Sequence, residues 1–188
     1  MVGDIRQSVL STNPRSSKNR NYKYADAIHW FREREESGVL KIEESNTTWR
    51  FNKKIAEFSD TIFDPSWLFP ETLSKNDLKT GHDGVYIVRE KYAKKYVERF
   101  NPKCLRHSVS SGKQFDFDFL NFKASKGLEF ERVLVFPTEP IKKFIKSGIY
   151  LAPIPAASFY VAVTRARQSV AIIVPDKGEF RLREWRPE

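Results

Sequence analysis

Five short apolar runs, each five to seven residues long and separated by charged or turn-forming stretches, most constrain what this chain can fold into. They are "GVYIV" from Gly84, "CLRHSV" from Cys104, "DFLNF" from Asp118, "RVLVFP" from Arg132 and "SVAIIVP" from Ser169. Their length and their β-branched and aromatic content read as strands buried on both faces, since a strand with one wet face would alternate polar with apolar residues. Between them, "EKYAKKYVERF" from Glu90 and "EPIKKFIKSG" from Glu139 read as helices, the second closed by Gly148. Strands alternating with helices predict an α/β chain with a doubly wound, mainly parallel sheet and helices on both faces. Ligands of such sheets bind outside the carboxyl ends of the strands.

The amino-terminal third is less regular. "DIRQSVLSTNPRSSKNRNYKY", from Asp4, reads as a loop after a strand end. From Tyr24, "YADAIHWFREREES" places Ala27, Ile28 and Phe31 on one helical face and stops at Gly38. "VLKIEES", from Val39, reads as a short strand. "RFNKKIAEFSDTIF" has apolar residues at 51, 55, 58 and 62, which predicts an amphipathic helix beginning near Arg50 and ending at Asp64-Pro65. From Pro65 to Gly84, Pro, Ser, Asn, Asp and Gly recur as in a connecting loop. Trp30, Trp49 and Trp67 are expected in the core.

Charge and composition narrow the partners. The chain carries 33 Lys and Arg against 24 Asp and Glu, a formal charge of +9, which favours an anionic partner such as nucleic acid. The single Cys104 cannot form an internal disulfide, and His29, His82 and His107 lie too far apart in sequence for metal-ligand spacing. No apolar run approaches the roughly 20 residues that span a bilayer, and "MVGDIRQSVL" lacks the plan of a signal peptide. These features predict a soluble, cytoplasmic protein with no bound metal of its own and no membrane partner.

The stretch "FYVAVTRARQSVAIIV", from Phe159, places two arginines inside an apolar run. Buried arginines need an anion or water to face, and phosphate is the candidate. The expected phosphate-cradling loop is nevertheless absent. "SSGKQ", from Ser110, lacks the upstream glycine and the Ser/Thr after lysine, and reads as a polar turn. No apolar strand ends in the paired acids that hold magnesium.

Four segments stand in order along the chain: "VGDIRQS" from Val2, "NTTWRFNKKIAEF" from Asn46, "NFKASKGLEFERVLVF" from Asn121 and "FYVAVTRARQSV" from Phe159. In order and approximate spacing they resemble the third, fourth, fifth and sixth motifs of superfamily 1 DNA helicases of the UvrD/Rep type, over residues 2 to 174, and "KGLEF" is the most specific part. The resemblance implies a RecA-like fold of the P-loop NTPase type. It implies that Gln7 senses the terminal phosphate, that Arg50 approaches it, and that Glu129 accepts hydrogen bonds from the ribose. By the same resemblance Arg165 is the arginine finger, a role that in related hydrolases accelerates turnover by roughly 10³ to 10⁵. Gly127, lacking a Cβ, lets backbone amides approach the ligand. Lys123, Ser125 and Lys126 fall where the family touches the nucleic-acid backbone.

The departures from the pattern are specific. Leu10 and Thr12 stand near places where the family stacks aromatic rings on bases, Thr48 replaces an asparagine, Asn121 a threonine and Lys123 a histidine. Arg50 also reads as a surface residue at a helix start, Glu129 as a solvated loop acid and Lys123 as an ordinary surface lysine. Arg167 reads as solvated or acid-paired, and the tail "FRLREWRPE", from Phe180, as a packed or frayed terminus.

The resemblance divides the chain into residues 1–38, a remnant of a first motor domain, and 39–188, the second RecA-like domain. It implies ATP with magnesium, bound only together with that first domain. The implied partners are single-stranded DNA, the N-terminal motor domain, and a nuclease or repair protein. The alternative is a non-catalytic single-stranded nucleic-acid-binding module derived from a helicase.

Overall fold

A computed structural model describes residues 4–7 and 25–187. Of the loop expected over 4–24, residues 8–24, together with the helix start at Tyr24 and the positions of Leu10 and Thr12, lie outside the described residues. A six-stranded sheet organises the chain. It comprises β3 (Gly84–Arg89), β4 (Lys103–Arg106), β5 (Phe119–Asn121), β6 (Phe130–Phe136), β7 (Ala166–Val174) and β8 (Arg183–Trp185), in the order β5-β4-β6-β7-β3-β8. Every pairing in it is parallel. The α/β class and the parallel sheet expected from the sequence are those observed.

The apolar runs are apolar throughout because both faces of the sheet are covered. On one face Val133 and Val135 of β6 and Val170, Ile172 and Val174 of β7 enter a core shared with three helices. These are α2 (Lys53–Asp60), α4 (Glu139–Ser147) and α5 (Pro153–Val163). The intervening residues Leu134, Ala171 and Ile173 face the other way, into a cluster with Tyr96 of α3 (Ala93–Phe100) and Trp185. Phe115, Phe117, Phe119 and Phe136 pack against this cluster. The tail is therefore packed: β8 pairs with β3, and Arg89 donates to Glu184 at 3.0 Å.

Several local expectations change. No strand forms over 39–45; the strand is β1 (Thr47–Asn52), which carries Arg50. The helix expected near Arg50 begins at Lys53, because the Asn52 side chain accepts from the Ile55 amide at 3.1 Å and caps it. Phe51 and Ile62 mimicked helical spacing because both reach the same core from outside the helix. Within the expected loop 65–84 lies β2 (Leu73–Asn76), which pairs parallel with β1 in a separate two-stranded sheet. Trp49 is 73% exposed rather than buried, Trp67 packs on Phe63 and Phe69, and Trp30 in α1 (Ala25–Glu36) is half-buried. Around "SSGKQ" the chain turns as expected, with the Ser111 amide donating to the Ser108 carbonyl.

Ahead of β3, His82 lies flat between Tyr86 and Phe100, with ring centroids at 4.3 and 3.9 Å, and its Nε2 meets the Tyr96 hydroxyl at 2.9 Å. Burial, aided by Arg132, Arg99 and Arg183 and opposed by Asp83, pushes its pKa down to about 4. The unfolded chain therefore takes up this proton first, so the stabilisation is complete above about pH 6.5 and is lost as pH falls towards about 4. Urea denaturation should show a loss of roughly 2–3 kcal/mol over that interval, and His82→Phe should remove this component of the pH profile.

Candidate functional site

The residues singled out by their motifs come from four separated segments. The first is a 3₁₀ turn, Ile5–Gln7. Asp4 caps it, accepting from the Arg6 amide at 3.0 Å and from Gln7 Nε2 at 2.8 Å. Arg6 anchors the turn to the domain: it donates to Thr72 Oγ1 at 3.0 Å, lies 3.7 Å from Asp60 and stacks over the Tyr160 ring. Burial opposes its charge, but Tyr160, Asp4 and Asp60 outweigh that and its pKa is raised. Asp60 in turn accepts from the Thr72 hydroxyl and amide at 2.6 and 2.7 Å.

The second segment is β1. Arg50 projects from it towards Glu129, with Nε 3.6 Å from Oε2, and that buried nitrogen has no hydrogen-bond partner. Asn76 at the end of β2 donates to the Arg50 carbonyl at 2.7 Å and to the Arg167 carbonyl at 3.5 Å, while Asn52 Nδ2 reaches the Gln168 carbonyl at 2.7 Å. Two asparagine side chains thus stitch β1 and β2 to the start of β7.

The third segment runs from the end of β5 to the start of β6. Phe122 is buried, and so is Ser125, whose hydroxyl donates to the Phe122 carbonyl at 2.7 Å. Gly127 follows with φ +88°, a left-handed conformation, and Glu129 precedes β6. Lys126 Nζ donates to the Gln7 carbonyl at 3.0 Å. Lys123 stands exposed at the carboxyl end of β5.

The fourth segment joins α5 to β7. Thr164 caps α5 by donating to the Tyr160 carbonyl at 2.8 Å. Arg165, only 1% exposed, is held by four hydrogen bonds. Nε donates to the Val161 carbonyl (3.0 Å), Nη1 to the Leu128 carbonyl (3.2 Å), and Nη2 to Thr164 Oγ1 (3.2 Å) and Gln7 Oε1 (3.5 Å). Burial and the neighbouring Arg50 charge lower its pKa to about 10, which leaves it charged at neutral pH.

These segments border an open cleft of about 460 Å³, lined by the 4–7 turn, residues 45–51, Thr72, Glu129 and Tyr160. Gln7, Arg50, Glu129 and Arg165 are brought together, with Gly127 two residues from Glu129. Of the three residues expected at the nucleic-acid backbone, Lys123 and Lys126 are exposed and Ser125 is buried. Because Glu129 and Arg165 precede β6 and β7, the gathering sits at the amino edge of the sheet, opposite to the carboxyl edge expected for a ligand of a parallel sheet. Sequence reasoning missed Arg6, Asp60, Thr72 and Asn76, whose contacts span dozens of residues and leave no local pattern.

Chemically the cleft is suited to an anion. Arg50, Arg165 and Arg167 gather around one carboxylate, Glu129, and polar groups of Asn46, Thr47 and Thr48 line its wall. This donor set fits the phosphate end of a nucleotide. Among the described residues no cluster of three His, Cys, Asp or Glu could hold a metal ion.

No family model and no curated protein matches the chain. Solved structures do. The Arterivirus nonstructural protein 10 helicase is 18% identical over 93% of this chain and 32% of that one, with a TM-score of 0.48. The PRRSV helicase is 18% identical over 73% of this chain, with a TM-score of 0.44, and the alignment spans 24% of that protein's length. The C-terminal domain of a possible DNA helicase from Lactobacillus plantarum WCFS1 is 12% identical, covering 68% of this chain and 88% of that one at a TM-score of 0.41. The cleft's own residues carry its chemistry.

At Gly127 nothing lies within 4 Å of where a Cβ would stand, so a side chain meets strain rather than a clash. Gly127→Ala should cost about 1 kcal/mol in thermal denaturation, through the left-handed backbone alone.

Proposed function

We propose that this chain is the nucleotide-sensing, second motor half of an ATP-dependent superfamily 1-type helicase or translocase acting on single-stranded DNA. The observation that carries the reading is the convergence of Gln7, Arg50 and Glu129, from three distant segments, on one cleft of about 460 Å³, with the buried Arg165 from a fourth segment set directly behind Gln7. Such a half acts together with a domain that supplies the triphosphate-cradling loop and the magnesium-binding acids, and magnesium would there neutralise phosphate charge.

Within this reading each residue has a task set by its surroundings. Arg165, fixed to the carbonyls of Val161 and Leu128, presents Nη2 3.5 Å from Gln7 Oε1, which sets the finger beside the phosphate sensor. A buried, permanently charged fork requires no reorganisation when charge develops on the transferred phosphoryl group. Arg50, beside Glu129 in the same cleft, meets the phosphates, and Glu129 accepts from ribose hydroxyls. Trp49, exposed on the strand that lines the cleft, offers an indole face to a base. Lys123, at the carboxyl end of β5, and the net charge of +9 serve the nucleic-acid backbone.

The test is ATP hydrolysis stimulated by single-stranded DNA, measured on this chain joined to a domain bearing a phosphate-cradling loop. Arg165→Ala should reduce turnover by roughly 10³-fold or more while single-stranded DNA binding persists. Turnover that survives Arg165→Ala in a folded protein would overturn the assignment.

One observation favours a second reading. The four internal hydrogen bonds of Arg165 also suit a purely structural guanidinium, as in a binding module that has lost its motor. Such a module would bind single strands with a steep salt dependence and no response to ATP, even with the cradle domain supplied.

A further inference from the structure

We infer that Arg167 is a further phosphate ligand of the cleft, paired with Arg50, and that Glu129 stands between the two guanidinium groups as an internal competitor of the incoming phosphate. The inference rests on the reading of this cleft as a nucleotide site, and it adds a residue that no motif assigned.

Three features carry it. Asn76 donates one amide to both the Arg50 and the Arg167 carbonyls, at 2.7 and 3.5 Å, so the two arginines are set side by side by the fold. Glu129 divides its carboxylate between them, Oε2 lying 3.6 Å from Arg50 Nε and Oε1 lying 3.9 Å from Arg167 Nη1. Both separations exceed hydrogen-bond length, so the carboxylate is attracted to both groups and bonded to neither. Arg50 Nε is buried with no hydrogen-bond partner, a donor that an oxygen closer than Glu129 would satisfy.

The contrast with Arg165 sharpens the assignment. Arg165 is 1% exposed and its hydrogen bonds end inside the fold, whereas the Arg167 side chain is 48% exposed and meets Glu129 at 3.9 Å. A phosphate carries more charge than a carboxylate and has oxygens enough for both forks. It would draw Arg50 and Arg167 to hydrogen-bond distance and turn Glu129 outward, where the half-exposed acid is free to meet the ribose.

The experiment uses two probes with this chain joined to the cradle-bearing domain: tripolyphosphate, which has no ribose, and ATP, with affinities read by titration calorimetry. Arg167→Gln should weaken tripolyphosphate binding about fivefold, and Glu129→Gln should strengthen it by a similar factor, as expected for half-exposed charge pairs. With ATP the gain from Glu129→Gln should be smaller, because the lost carboxylate also serves the ribose. If Arg50→Gln weakens tripolyphosphate while Arg167→Gln and Glu129→Gln leave it unchanged, the inference falls and the cleft keeps its nucleotide reading. If the joined protein, folded and unaltered, binds neither probe, both fall together. Circular dichroism of each variant keeps a folding defect from being read as lost affinity.

Discussion

Everything at the amino edge of the sheet depends on one buried guanidinium. Arg165 sits where α5 ends and β7 begins, and it bonds backward to Val161, sideways to Leu128 and forward to Gln7. Its own carbonyl accepts from the Phe130 amide at 2.8 Å, so side chain and backbone together tie the 122–129 segment to the helix end. A charge removed this far from water is tolerated because backbone carbonyls solvate it in place of water. Its position therefore cannot shift without disturbing the helix end, the start of β6 and the 3₁₀ turn.

The 3₁₀ turn shows how the same economy works with exposed chemistry. Four residues would not hold a fixed shape alone, yet Asp4 closes the turn on itself and Arg6 locks it to Thr72, Asp60 and Tyr160. Arg6 stacks over Tyr160, and the phenol's pKa is raised, chiefly by burial and against the pull of Arg6 and Arg165. The floor of the cleft is thus assembled from long-range polar contacts laid over an apolar helix.

How much of this could be read from residues follows from where the physics is local. The strands of the large sheet were legible because both faces are buried, leaving unbroken apolar runs such as Val170–Val174. α5 gave no periodic signal for the opposite reason: Ala156 through Val163 are all buried, so no polar side marks the helix. The boundary at Asn52 was misplaced because Phe51 reaches the core from a strand with the spacing of a helix. Trp49 was expected in the core because nothing in one sequence tells an interior strand position from one facing a cleft. Of the cleft, Gln7, Arg50, Glu129 and Arg165 were legible only through resemblance to motifs; the Arg6, Asp60, Thr72 and Asn76 contacts exist only after folding.

The buried run Ala156–Val163 of α5 carries a consequence for how such a cleft can change over time. Residues below it answer to packing, where almost any substitution is felt across the core. Trp49, Glu129 and Arg167 stand on the solvent side, where substitutions seldom move stability by more than about 0.5 kcal/mol. Ligand preference can therefore drift through the rim while the floor stays constant, and the two layers can diverge at different rates among descendants of one ancestral domain.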